Sequence, residues 1–359
     1  MKMKLGIGLY RHMLTPDYFQ FARQCGCTHL IVHLATYYDK QVVTATDENS
    51  NYGAATAKDP IWELDNLLAL KKQAAEYGLD IYGIENFNPA DWYDVLLAGP
   101  KRDEQLEGLK RIIENTGKAG IKAFGYNFSL AGVWGHQKKH AARGGAESTC
   151  FDASLLDINS PIPNGQVWNM TYAPTDGGFM APVSQKELWD RLKYFLDYML
   201  PIADENGVEL ALHPDDPPMP ELRQTARLVY RPELYQKLID MNTNKANKLE
   251  LCLGSLQEME SDKPIYDYLD SYLKQDRVSY IHFRNVKGKV PCYDEVFVDE
   301  GDIDMFRVLR QLNDSSFDGV LIPDHTPLMT CDAPWHAGMA YALGYMRAAF
   351  QLLEKGVNF

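Results

Sequence analysis

One phrase recurs along the chain and limits what the chain can become: a helical run, a small or polar residue, a glycine, then a β-rich run. It reads EYGLDIYGI at 76–84, KAGIKAFGY at 118–126 and ENGVELALH at 205–213. Glycine is a usual residue just past a helix end. Eight short β-rich runs of this kind punctuate the sequence, at 5–10, 29–34, 80–87, 121–128, 208–214, 249–255, 278–285 and 319–325. Most are near-continuous apolar runs, as expected of parallel strands covered on both faces. Helical periodicity fills 15–26, 60–78, 103–119, 184–206, 226–241, 262–275, 303–313 and 334–354. Strict alternation of eight strands with eight helices closes most naturally as an α/β (β/α)8 TIM barrel. A doubly wound open sheet would carry a Gly-rich fingerprint after its first strand, whereas GIGLYRHM places bulky residues there. With 359 residues and no linker or repeat, one barrel domain over 1–359 is expected. Three connections are long: 35–59, 129–183 (an insertion loop) and 286–302. All follow strands, so they belong to the face where barrel active sites sit.

Composition narrows the partners. The chain has 36 Lys+Arg against 49 Asp+Glu and a net charge of −13, which argues against nucleic acid or an anionic membrane. No apolar run approaches the ~20 residues of a membrane span. The apolar stretch at the start is broken by Tyr10, Arg11 and His12, so it does not read as a secretory signal. Six scattered cysteines without a CxxC read as reduced thiols of a cytoplasmic protein.

The chemistry gathers at the ends of the last four strands. They carry His213, Cys252, His282 and Asp324, followed by His325. Four adjacent strands thus each deliver a metal-competent side chain to one rim, and two imidazoles, a thiolate and a carboxylate suit one divalent cation: Mn²⁺, Fe²⁺, Co²⁺ or Zn²⁺. Asp215 and Asp216 are placed to orient His213 as hydrogen-bond acceptors. Arg284 shares a strand face with His282 and reads as a bidentate clamp for a substrate carboxylate. His33, Glu85, Asn86, Tyr126 and Asn127 point to the same rim. The acidic run Glu295, Asp299, Glu300, Asp302 and Asp304 is expected to be a solvated loop and helix cap. Lys138, Lys139, His140 and Arg143 form a small basic stretch in the insertion, a candidate guide for an anionic substrate.

These residues resemble the mannonate dehydratase family, divalent-metal barrels related to xylose isomerase. LPIADENGVELALHPDDPP (200–218), CLGS (252–255), HFRN (282–285), GDIDM (301–305) and PDH (323–325) carry the resemblance, with weaker similarity in IPNGQVW (162–168) and YNF (126–128). It implies that His213, Cys252, His282 and Asp324 hold the metal, commonly Mn²⁺. It also implies that His325 beside Asp324 takes part in proton transfer, that Arg284 binds the sugar acid, and that D-mannonate is dehydrated to 2-keto-3-deoxy-D-gluconate. Asn127, His33 and Trp335 are further candidate substrate contacts. The sequence departs from the pattern at Ile322, where the family usually shows Arg. It departs again at Trp335 in DAPWHAG, where the family carries a catalytic Tyr; Tyr341, His336 and Tyr172 are the candidate replacements. A sugar isomerase or epimerase on the same barrel, and a non-catalytic sugar-acid binder, are the competing readings. A homo-oligomer is expected, as is common for such enzymes.

Overall fold

A computed structural model describes residues 2–37 and 52–357. The eight expected strands form one closed parallel barrel. They are β1 (Lys4–Tyr10), β2 (His29–His33), β3 (Asp80–Glu85), β4 (Ala123–Tyr126), β5 (Glu209–Leu212), β6 (Asn247–Cys252), β7 (Val278–His282) and β8 (Val320–Ile322). Each pairs with its neighbour in sequence, and β8 closes on β1 through the Lys4↔Val320 and Leu5↔Leu321 partners. β6 is buried at every position and β7 likewise, as parallel strands covered on both faces are. The polar residues of β6, Lys248 and Glu250, alternate with Leu249 and Leu251 but are buried with them.

The repeated phrase does what its glycines suggest. Gly78, Gly120 and Gly207 take φ of +72°, +69° and +69°, the left-handed turn that ends each helix and aims the chain into the next strand. The helices lie where periodicity placed them, with two additions, Pro89–Leu97 and Leu253–Glu258. The helix expected over 226–241 begins only at Glu233. The residues before it are diverted: Thr225–Ala226 pair with Glu221–Leu222, and the Arg227 side chain is buried.

The barrel interior is layered. Ile31, Tyr82, Ala123, Ala211, Tyr280, Val320 and Ile322 form an apolar floor. Above it Glu85, Glu250 and His282 form a buried polar layer towards the strand C-termini. Gly125 on β4 makes room for this layer, since a Cβ there would collide with the Tyr280 hydroxyl and the Glu250 carboxylate.

Two of the long connections are not plain loops. Asn285–Lys289 and Cys292–Val296 form a hairpin after β7, and Gln137–Ala142 and Ala146–Asp152 form another within the insertion. The hairpins join edge to edge into one four-stranded antiparallel sheet, with Cys292 opposite Asp152 and Asp294 opposite Cys150. The connection expected over 35–59 falls largely outside the described residues. Among the described residues, no helix is long and apolar enough to cross a membrane.

Candidate metal centre

The four strand-end residues meet. Potential ligand atoms of His213, Cys252 and His282 lie within 4.8 Å of one another, and His282 Nδ1 is 3.3 Å from Asp324 Oδ2. Asp324 sits at φ +61°, a left-handed conformation that Asp tolerates better than most residues. Burial pushes the Cys252 thiol up, but Arg284 and the imidazoles of His213 and His282 outweigh it and bring it down to about 5. Burial opposes a charge on His213, yet Cys252 and Glu250 raise it to about 9.

A second layer of carboxylates stands behind His282. Its Nε2 lies 3.1 Å from Glu250 Oε1 and 3.3 Å from Glu85 Oε2. His33 Nε2 approaches the same Glu85 oxygen at 3.6 Å. Burial and the neighbouring Glu85 hold Glu250 up at about 7; Glu85 is drawn down to about 2 because His33 and His282 outweigh its burial. Neither His282 nitrogen has a hydrogen-bond partner of ordinary geometry, and both are buried. A carboxylate behind one imidazole nitrogen, with a thiolate and a carboxylate near the other side, is the arrangement that orients a metal-binding histidine. The donor set therefore fits a divalent cation held by His213, Cys252, His282 and Asp324.

Arg284 is brought to the centre but not as an open clamp. Its side chain is 2% exposed, and its guanidinium donates to Glu258 Oε1, to Ser255 Oγ at 3.0 Å and to Asp216. Its Nε is 3.2 Å from Asp324 Oδ2, and Glu295 Oε1 is 3.5 Å from its Nη1. These carboxylates of the chain occupy the fork that was expected to face a substrate. Gly254 allows this approach, because a Cβ there would run into the guanidinium.

Nor do Asp215 and Asp216 orient His213, whose Nδ1 instead faces the Pro214 carbonyl at 2.6 Å. Asp215 accepts the backbone N–H groups of Leu228 and Val229 and pairs with Arg227 at 3.0 Å. Asp216 accepts from Arg284, Ser255 and Tyr293 and faces His136. Burial opposes its ionisation, but Arg284 and His136 hold it well below the usual carboxylate range.

A pocket opens above the centre, lined by His213, His282 and Asp324 and, higher up, by His325, His136 and Asn127. His325 Nδ1 lies 3.1 Å from both oxygens of Glu295. Burial opposes its charge, but Asp324 and Glu295 raise it to about 9. Glu295, expected in a solvated loop, is thus a buried partner of a pocket histidine, because the hairpin carries it inward. Asn127 donates to the Pro214 carbonyl at 3.2 Å and accepts from Trp168 Nε1 at 3.2 Å. His33 stacks on Tyr10 with ring centroids 4.6 Å apart, and both rings line the pocket.

Other expectations are not met. Trp335 lies outside the pocket, packed on Tyr18 and Phe21 at the start of the last helix. His336 stacks on Tyr18, Tyr172 on Tyr93, and Tyr341 accepts from Arg143, so none of the three lines the pocket either. The basic stretch is largely occupied by its own neighbours: Lys138 donates to Thr149 Oγ1, Lys139 pairs with Asp152, and Arg143 pairs with Asp299. Sequence reasoning passed over Glu250, Glu258, Tyr293 and Trp168. Glu250 was findable, since it shares a strand face with Cys252 two residues on.

Comparison with known proteins agrees with this geometry. The family described as D-mannonate dehydratase (UxuA) matches residues 42–357. The mannonate dehydratase of Streptococcus pneumoniae (strain 70585) is 30% identical over 275 residues, covering 74% of each chain. That of Lactococcus lactis subsp. cremoris (strain MG1363) is 28% identical over 324 residues, 82% of this chain and 88% of the other. The crystal structure of mannonate dehydratase from Streptococcus suis serotype 2 matches with a TM-score of 0.78 and 25% identity, over 99% of this chain and 95% of that one. The E. coli 3-keto-D-glucoside 4-epimerase shares the fold, with a TM-score of 0.58 at 13% identity over 97% of this chain and 100% of that one. The barrel, the cluster at its mouth and these relatives converge: the chain belongs to the mannonate dehydratase family.

Proposed function

We propose that this protein dehydrates D-mannonate to 2-keto-3-deoxy-D-gluconate. The observation that carries the reading is the convergence of His213, Cys252, His282 and Asp324 beneath a pocket that also presents His325, in a chain of this family. When bound by those four residues, a divalent cation supplies Lewis-acid charge to the carboxylate end of the substrate. Mn²⁺ is the metal we assign, with Fe²⁺, Co²⁺ and Zn²⁺ as competitors for a mixed thiolate, imidazole and carboxylate set.

The chain's own residues then divide the work. His325 donates a proton to the departing C3 hydroxyl, and Glu295 fixes its ring through Nδ1. Asn127 and His33 contact the sugar hydroxyls from the pocket wall. Arg284 acts through Asp216 and Asp324, holding both carboxylates ionised and in place. Six free cysteines support a cytoplasmic location, and light scattering on the purified protein tests the expected homo-oligomer.

The test is incubation of the Mn²⁺-loaded protein with D-mannonate and related aldonates, followed by assay for 2-keto-3-deoxy acids. Formation of the keto acid from D-mannonate is expected. Absence of any keto acid would sink the reading. Solvent deuterium entering C2 without loss of hydroxyl would replace it with an epimerase.

A further inference from the structure

His136 belongs to the insertion, not to a barrel strand, yet it lines the pocket together with His325, His282 and Asp324. Its Nε2 lies 3.0 Å from Asp216 Oδ1 and 3.0 Å from the Tyr293 hydroxyl. The Tyr293 proton is committed elsewhere, because the hydroxyl donates to Asp216 Oδ1 at 2.7 Å. The network therefore places the imidazole proton on Nε2, facing Asp216 and the phenol oxygen. Nδ1 is left with a lone pair and, among the described residues, no hydrogen-bond partner.

The carboxylate behind the ring is firmly held. Asp216 is 3% exposed and accepts from Arg284 and Ser255 as well as Tyr293. A carboxylate that fixes the tautomer and stabilises the imidazolium formed on proton uptake is the standard support for a histidine base. The groups facing His136 are Asp216 from the loop after β5, and Tyr293 and Glu295 from the strand Cys292–Val296. Arg284 stands behind Asp216, and His325 lies across Glu295.

We propose that His136 is the catalytic base that removes the C2 proton, opposite His325 as the acid; this rests on the dehydratase reading above. The lone pair of Nδ1 takes the C2 proton, and the C2–H electrons become the C2–C3 double bond. The C3–O bond breaks, its electrons leave with the oxygen, and the proton of His325 completes a water molecule. The resulting enol becomes the keto acid as C3 takes up a proton and the C2 hydroxyl gives one up.

The test compares wild type with His136→Gln, both loaded with Mn²⁺ and assayed on D-mannonate. The variant is expected to lose about 10²–10⁴-fold in kcat, the usual worth of a positioned base, with KM and bound metal nearly unchanged. Deuterium at substrate C2 should slow the variant more than the wild type, because proton removal becomes limiting. A structural role alone would leave that isotope effect where it was. A kcat within about threefold of wild type, or a loss explained by lost metal, overturns the assignment. If His136→Gln does not fold, Tyr293→Phe takes its place. Removing the hydroxyl that donates to Asp216 leaves more of the carboxylate's charge to act on the imidazolium, so the acidic limb of kcat/KM should move upward, and an unmoved limb overturns the proposal. Wild-type protein that makes no keto acid would refute the dehydratase reading itself, a result separable from any variant's behaviour.

Discussion

At the residue scale, Cys252 is the least replaceable group in the centre. It is fully buried, and a neutral side chain there removes the one soft ligand. Cys252→Ala is expected to lose most of its bound metal by elemental analysis; unchanged metal content would remove Cys252 from the site. Glu250→Gln should act more gently. It leaves all four ligands in place but weakens the acceptor behind His282, so metal affinity should fall by about 10–100-fold in a competition titration. The thiol also has a pH signature. Arg284, His213 and His282 hold its pKa near 5 against its burial, so the metal-free protein should carry a thiolate at neutral pH. Ultraviolet titration of wild type against Cys252→Ser should show a thiolate appearing with a midpoint near 5 rather than near 9. A folded value below the ordinary one means that this thiolate's contribution to stability is complete above pH 9. It erodes as pH falls through about 5. A difference midpoint near 9 would show that these cations do not act on the thiol.

At the scale of elements, the loop after β5 shows how a site is braced from outside the barrel. Arg227 is fully buried, and it pairs with Asp215 while donating to Ser129 Oγ and the Gly132 carbonyl, both at 2.7 Å. These contacts tie the start of the insertion to the segment that carries Asp216. Asp215→Ala would leave the guanidinium unpaired in the interior. Urea unfolding should then show a loss of about 3–5 kcal/mol, the cost of breaking a buried pair from one side. A loss under about 1 kcal/mol would mean that the surrounding carbonyls satisfy Arg227 unaided. The sheet across the mouth works in the same sense. Phe151 from one hairpin stacks on Tyr293 from the other at 5.7 Å, and Tyr293 is the residue that reaches Asp216. Neither hairpin carried an obvious strand pattern. Gln137–Ala142 alternates half-buried and exposed positions, but its sequence QKKHAA offers no apolar alternation to announce it. Asn285–Lys289 ends in three exposed residues, so neither strand stands out as an apolar pattern in the sequence.

At the scale of the molecule, what was legible follows from period and position. The eight strands and the main helices stood out because burial on both faces makes apolar runs and one-sided burial makes helical stripes. His213, Cys252, His282 and Asp324 stood out because strand ends of a closed barrel share one rim. Arg284, Glu295 and His136 were misread or passed over because their roles depend on contacts between segments distant in sequence, which no local pattern records. Trp335 was misplaced for a simpler reason: adjacency to a motif in sequence does not put a side chain in the pocket. The four ligands come from β5 to β8, one contiguous half of the barrel wall, and this has a consequence for the whole fold. A cation that binds only the folded chain stabilises it by mass action, by about 2.7 kcal/mol when free metal is a hundredfold above Kd. One kcal/mol moves Tm by roughly 2–4 °C in domains of 150–250 residues and less in a longer chain, so chelation should lower Tm by a few degrees. Asp324→Asn should reduce most of that shift. The loss should also be uneven: on metal removal, amide exchange should speed up most at the C-terminal ends of β5 to β8, where the ligands stand, and little in β1 to β4. Equal acceleration around the barrel, or a Tm indifferent to chelation, would mean that the metal does not bridge those four strands.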